Sequence, residues 1–252
     1  MKISVLSRVH KGHVRFFDTW FGSIKSNSFY IDKVILWLHD KETSSWYLSI
    51  STLLDELDVE IVAISNLSLN PLSCLTYIND LNMNIGAVLD FDDIWLPTHL
   101  KTAFLSTDGF LKKSFYAGCN EFVDETATIS LGSHMIPKNH HDILLHTPIA
   151  FSSMVWSPGS VHLRSEFKRL VDQSLLYFAF KNNDVAVSSL ITVKIRKYNS
   201  SMSTNIISQV IDRFTFFKLV PNPLIFLNLF VAMKKKISLI LPLIFKNKLI
   251  RR

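Results

Sequence analysis

The chain has 252 residues, 48% hydrophobic and 19% charged, enough apolar side chains to close a large core, which excludes a disordered protein. Its net charge of +6 is concentrated at one end: from Arg213 onward there are nine Lys/Arg and no Asp or Glu, which leaves 18 Lys/Arg against 21 Asp/Glu over residues 1–212. The basicity therefore belongs to a tail, and the body has no nucleic-acid-binding charge.

At the N-terminus, KISVLS is too short for the apolar region of a signal peptide and reads as a first buried strand, so the expected location is the cytoplasm. A helix is predicted around 14–24, a strand at IDKVILWL, a helix around 49–56, a strand at VEIVAIS, a helix around 74–81 and a strand ending in NIGAVLDFDD. Strands separated by helix-length segments predict an α/β fold with an open, mostly parallel sheet covered by helices on both faces. Ligands in such sheets bind outside the carboxyl ends of the strands.

Beyond Pro97 a helix is predicted to about residue 106, a strand pair over 114–131, a polar connection GSHMIPKNHHD, the β-rich stretch ILLHTPIAFSSMVW, an amphipathic helix in SEFKRLVDQSLLYFAF and a strand in SSLITVKIRKY. Residues 1–212 form the predicted domain. Residues 213–252 form a basic amphipathic tail in which the apolar runs LIFLNLFVAM and ISLILPLIF flank three lysines. Neither run reaches the roughly 20 residues that span a bilayer, so the tail is predicted to lie on an anionic membrane surface.

The strongest chemical signal is VLDFDDIWLP, residues 88–97. In an extended segment, side chains at i and i+2 share a face, which places Asp90 and Asp92 together at the end of a strand with Asp93 adjoining. Carboxylates there suit Mg²⁺ or Mn²⁺, which bind through one or two carboxylates plus substrate phosphates. Capping of the following helix is the alternative, and it accounts for one of the acids. With only seven glycines and no GxGxxG or P-loop, a glycine-rich phosphate cradle is excluded. The pair Cys74 and Cys119 lacks disulfide or zinc spacing, and both read as reduced core residues. His134, His140, His141, Asp142 and His146 have no metal-binding spacing and read as part of a mobile loop.

DFDDIWLP resembles the Asp-x-Asp-Asp-Ile-Trp-Leu-Pro segment of bacterial family-2 glycosyltransferases, which have the GT-A nucleotide-sugar fold. That resemblance implies that Asp90 lies near the donor ribose and that Asp92 and Asp93 hold the metal. By the same resemblance Asp40, in the HDKET that follows the second strand, stands where the family's nucleobase-binding acid stands, although the family's Gly-Ser turn is missing. RLVDQSLLYFAF is similar to the stretch that supplies the general base, which aligns with Asp172, and TPIAFSSMVW to the acceptor-side segment, where Ser152 and Ser153 would face substrate. The implied activity is metal-dependent, inverting transfer of a sugar from a nucleotide-sugar donor to a lipid-linked saccharide at the inner face of the cell membrane, as in O-antigen or capsule synthesis. A nucleotidyltransferase on a similar sheet, for which RVHKGHVR would be the basic loop, and a non-catalytic membrane- or partner-binding module are the alternatives.

Overall fold

A computed structural model of the chain describes residues 3–65, 85–111, 114–133, 136–145, 149–161, 171–182, 184–197, 214–218 and 220. β1 (Ile3–Val9) and β2 (Ile31–Leu38) pair in parallel, β1 also pairs in parallel with β4 (Gly86–Val88), and β2 with β3 (Glu60–Ser65). Each of these strands is apolar on both sides, as a strand sandwiched between helices must be. Along β2, Ile35 and Trp37 enter one core while Val34, Leu36 and Leu38 enter the other, the period-2 alternation of a pleated strand.

Helix α1 (Phe17–Asn27), preceded by a 3-10 turn at Lys11–Phe16, lies on the second face with α2 (Lys41–Leu54) and α3 (His99–Ser106), through Trp20, Ile24, Ile50, Leu54, Leu100 and Ala103. On the other face lie α4 (His140–Leu145) and α5 (Val171–Asn182), through Ile143, Leu175, Leu176 and Phe178. The sheet is completed by β5 (Ile94–Trp95), β6 (Ser114–Val123), β7 (Ser130–Ser133), β8 (Met154–Trp156) and β9 (Asp184–Arg196). Its order is β3-β2-β1-β4-β8-β6-β9-β5, with β7 paired to β6.

The predicted open α/β sheet with helices on both faces is present. The β3-β2-β1-β4 half is wholly parallel; beyond β4 the sheet is mixed, since β8 runs antiparallel to both β4 and β6, β6 and β9 pair in parallel, β7 returns along β6 as a hairpin, and β5 is antiparallel to β9. Short connections permit this: the hairpin turn is closed by Asp124, whose carboxylate accepts the backbone N–H groups of Thr128 at 2.8 Å and Ile129 at 2.7 Å. The helix predicted around 49–56 begins earlier, at Lys41, because Asp40 caps it. GSHMIPKNHHD carries a helix as well as a loop: Asn139 Oδ1 accepts from the His141 N–H at 2.9 Å, and Asp142 Oδ2 from the Lys138 N–H at 2.7 Å.

The predicted helix around 74–81, Cys74, His134, His146 and the tail beyond residue 220 lie outside the described residues. Just past the predicted boundary at 212, Phe216 is completely buried beside Tyr177, with ring centroids 5.6 Å apart. Among the described residues no helix is long and apolar enough to cross a membrane.

Candidate active site

Three strand ends converge at the carboxyl edge of the parallel half. There β1 delivers Arg8 and runs on to His10, β2 runs into His39 and Asp40, and β4 runs into Asp90. The chain then turns: the Asp93 N–H donates to the Asp90 carbonyl at 2.9 Å. Phe91 is buried, stacked on Trp20 at 4.8 Å and met edge-on by Trp46 at 5.4 Å. Trp95 Nε1 donates to the Ser152 carbonyl at 2.6 Å. The aromatic residues of the motif thus go inward and fix the turn between them. This differs from the predicted extended geometry, since the strand stops at Val88 and Asp90 and Asp92 are related by a turn, for which Asp is well suited.

The three acids occupy three different environments. Asp90 receives a guanidinium fork from Arg8, with Nε 2.7 Å from Oδ1 and Nη2 2.5 Å from Oδ2, and Arg8 in turn lies over the Phe151 ring. Asp92 keeps a partly exposed side chain, with Oδ1 3.8 Å from His13 Nδ1, while its carbonyl accepts from Arg196 Nη1 at 2.6 Å. Asp93 is buried and accepts a hydrogen bond from Ser152 Oγ at 2.6 Å. Burial first, and then the charges of Asp92 and Asp90, push its carboxyl well above the usual carboxylate range. Of the two acids predicted to hold a metal, Asp92 is therefore partly exposed at the strand edge and Asp93 is turned into the protein.

Asp40 is the N-cap of α2: its Oδ1 accepts the Thr43 N–H at 2.7 Å and Thr43 Oγ1 accepts the Asp40 N–H at 3.1 Å. Burial works to raise its pKa, but the hydrogen bonds from Thr43 and from the Lys11 backbone, together with the charge of His10, leave it lowered. Beside it the His39 ring stacks on His10 at 5.8 Å, and burial, followed by His10, lowers its pKa against the pull of Asp40.

Asp172 lies in the first turn of α5, with Oδ1 accepting the Gln173 N–H at 2.8 Å. Gln173 pins that turn by donating to the Ile143 carbonyl; Leu175, Leu176 and Phe178 are buried and Phe180 packs against them, but the helix predicted to be amphipathic is buried on nearly every side, Gln173 and Ser174 included, while Leu170 lies outside the described residues. Ser152 and Ser153, predicted to face substrate, are instead buried. Ser152 accepts the Asp90 N–H at 3.0 Å in addition to donating to Asp93, and Ser153 donates to Asn120 Oδ1.

Arg196 joins the site without having been assigned a role from sequence, and Arg8 and His13 were singled out there only within RVHKGHVR, the basic loop of the nucleotidyltransferase alternative. The signal for the two arginines is an ionisable residue inside an apolar strand, which folds only with partners. In the histidine-rich connection, Asp142 is occupied with capping, and the His140 and His141 rings lie tilted against each other, centroids 4.2 Å apart.

Among the described residues no three His, Cys, Asp or Glu side chains are grouped to hold a metal by themselves. A cation that takes most of its ligands from diphosphate oxygens and water needs only one or two protein carboxylates, and Asp92 at the rim fits that donor set.

No family model matches the chain, and no curated protein does. Solved structures resemble it. The crystal structure of S. aureus TarS 1–349 in complex with UDP-GlcNAc is 14% identical over 86% of this chain and 67% of that one, with a TM-score of 0.62. The TarS 1–349 structure without ligand gives 12% identity and a TM-score of 0.57, the chain spanning 66% of its length, and 40% of the longer TarS crystal structure. GalNAc-T7 with UDP, GalNAc and Mn²⁺ is 9% identical over 79% of this chain and 44% of that one, with a TM-score of 0.63. At such identities the likeness carries the fold, and the fold is that of the GT-A glycosyltransferases.

Proposed function

We propose that the chain is a nucleotide-sugar-dependent glycosyltransferase whose donor lies across the carboxyl ends of β1, β2 and β4. The observation that carries the reading is the turn at 90–93, which leaves two partly exposed carboxylates at the strand edge of a GT-A sheet, Asp90 held by the Arg8 fork and Asp92 beside His13, while Asp93 turns inward. The solved neighbours bound to UDP-GlcNAc, to UDP, and to UDP with Mn²⁺ support the same donor class. Asp92 would hold Mn²⁺ or Mg²⁺, which when bound offsets the negative charge on the departing diphosphate. Asp93, committed to Ser152, would set the turn that presents Asp92. With both oxygens on Arg8, Asp90 retains lone pairs that can accept a ribose hydroxyl. Asp40 would sit beside the base, and Asp172 would take the proton of the acceptor hydroxyl as it attacks, the requirement of an inverting transfer.

The basic tail assigns the acceptor class in this reading. An enzyme held at the inner face of a membrane by nine cations and two apolar runs meets a lipid-linked saccharide, as O-antigen or capsule assembly requires.

The test is thermal stabilisation by UDP-, dTDP-, GDP- and CMP-sugars with and without Mn²⁺. A donor at a hundredfold excess over its Kd stabilises by about 2.7 kcal/mol. One class of sugar nucleotide is expected to stabilise the protein in a Mn²⁺-dependent way, and Asp92→Asn is expected to remove the metal-dependent part. Indifference to every donor, or stabilisation untouched by EDTA, refutes the proposal.

A further inference from the structure

We infer that Arg196, at the end of β9, is a positioning residue for the metal and diphosphate end of the donor; the inference rests on the donor reading of Asp92 given above. The Arg196 side chain is 5% exposed. Its donors reach three separate segments: Nη1 bonds the Asp92 carbonyl at 2.6 Å, Nε the Glu125 carbonyl in the β6–β7 turn at 3.0 Å, and Nη2 Thr19 Oγ1 on α1 at 3.0 Å. The guanidinium also covers the Phe16 ring at 4.4 Å, and the backbone N–H of Arg196 serves the Asp93 carboxyl.

One residue thereby holds both ends of the acidic step, Asp92 through its carbonyl and Asp93 through its side chain, and ties them to α1 and to the hairpin. The arrangement depends on the chemistry of arginine. A planar fork with five N–H donors can serve three acceptors on different segments while its face rests on an aromatic ring; a lysine ammonium is a point charge that cannot reach them in one geometry. Removing the fork lets the Asp92 carbonyl, and with it the Asp92 Cα and carboxylate, move relative to the strand edge.

Arg196 itself touches no ligand in this account, so its signature is selective. Loss of an outer partner that orients a metal ligand lowers metal-dependent affinity by about 10–100-fold. The experiment titrates wild type and Arg196→Lys with UDP plus Mn²⁺ and, separately, with uridine, by calorimetry, alongside the melting temperature of each. The expected result is a 10–100-fold loss of affinity for UDP with Mn²⁺ in the folded variant, with uridine affinity within twofold of wild type. Equal affinity for UDP with Mn²⁺ overturns the inference, as does a parallel loss for uridine and UDP, which marks a general loosening. Should Arg196→Lys fail to fold, Thr19→Val, which removes one of the three acceptors, is expected to lose at least threefold for UDP with Mn²⁺ and nothing for uridine; no difference there overturns the inference. If none of the UDP-, dTDP-, GDP- and CMP-sugars binds to wild type, the donor reading falls and takes this inference with it; where another base is preferred, that nucleotide and its nucleoside replace UDP and uridine, and binding by wild type that the variants match removes the inference alone.

Discussion

Ser152 tests whether the acidic turn is held from below. Its hydroxyl donates to Asp93 Oδ2 at 2.6 Å and accepts the Asp90 N–H at 3.0 Å, and the side chain is completely buried. Ser152→Ala removes a donor from one buried group and an acceptor from another while barely changing volume. Leaving a buried polar group unsatisfied costs about 1–3 kcal/mol, so with two partners affected and some relaxation of the turn the expected loss is about 2–4 kcal/mol. In a chain of this size each kcal/mol lowers the melting temperature by about 2–4 °C, so a drop on the order of 5–15 °C is expected. The neighbouring Ser153→Ala is an internal control, since its bond to Asn120 is long at 3.4 Å and its loss should cost about 0.5–1 kcal/mol. Urea unfolding of the three proteins at pH 7 decides the matter. A Ser152→Ala loss below about 0.5 kcal/mol, or equal to that of Ser153→Ala, shows that the turn satisfies itself without the hydroxyl and refutes the reasoning.

Three further outcomes are expected. His99 is buried, bonded through Nδ1 to Thr192 Oγ1 at 3.0 Å, and burial lowers its pKa from 6.5 to about 3. Between those values the unfolded chain binds a proton that the fold does not, so stability falls as pH drops below 6.5, by up to about 1.4 kcal/mol per pH unit from this residue. Asp93, with its raised pKa, works in the opposite sense, so the comparison that isolates the histidine is the slope of urea stability from pH 7 to 5 in wild type and in His99→Gln, which should be flatter. A Cβ at Gly86 would lie 2.8–2.9 Å from the ring of buried Trp156, so Gly86→Ala should cost about 1–3 kcal/mol, partly recovered by Trp156→Phe in thermal melts. Asp40→Ala should lose about 0.5–2 kcal/mol as a missing N-cap, and Asp40→Ser should regain it; weak UDP binding that persists in the Ser variant assigns the acid to the donor, and full binding assigns it to capping alone.

What the sequence disclosed follows from where the physics is local. The alternation in IDKVILWL and the buried run of Ile3–Val9 predict a doubly covered parallel half, and that half is present. The mixed half was less legible because strand direction is set by which partner is available. Nothing within MVW distinguishes a strand running against β4 from one running with it. The start of α2 was missed for a local reason that could have been read: Asp40 followed by Thr43 is a capping pair, and it outweighs the β-branched and serine residues that follow. For the site, acids placed by position were found at the strand edge, but their orientations depend on contacts far along the chain. Asp93 meets Ser152 and Asp90 meets Arg8, at separations of 59 and 82 residues, and no spacing rule reaches that far.

Those distant contacts explain how three carboxylates can sit in four residues without driving the turn apart. Like charges that close raise one another's pKa values, and a bound cation is one remedy. This chain applies three others: Asp90 is neutralised by the fork of Arg8, Asp93 is taken out of water, which raises its pKa, and Asp92 retains solvent and the neighbouring His13. The turn is thus held by Phe91, Trp95, Ser152 and Arg196 with its charges already accommodated. On the proposed donor reading, such a turn would not have to reorganise around an arriving diphosphate, since Asp90 and Asp92 are already separated from Asp93, which is turned inward to Ser152. Such preorganisation is where electrostatic catalysis draws most of its effect.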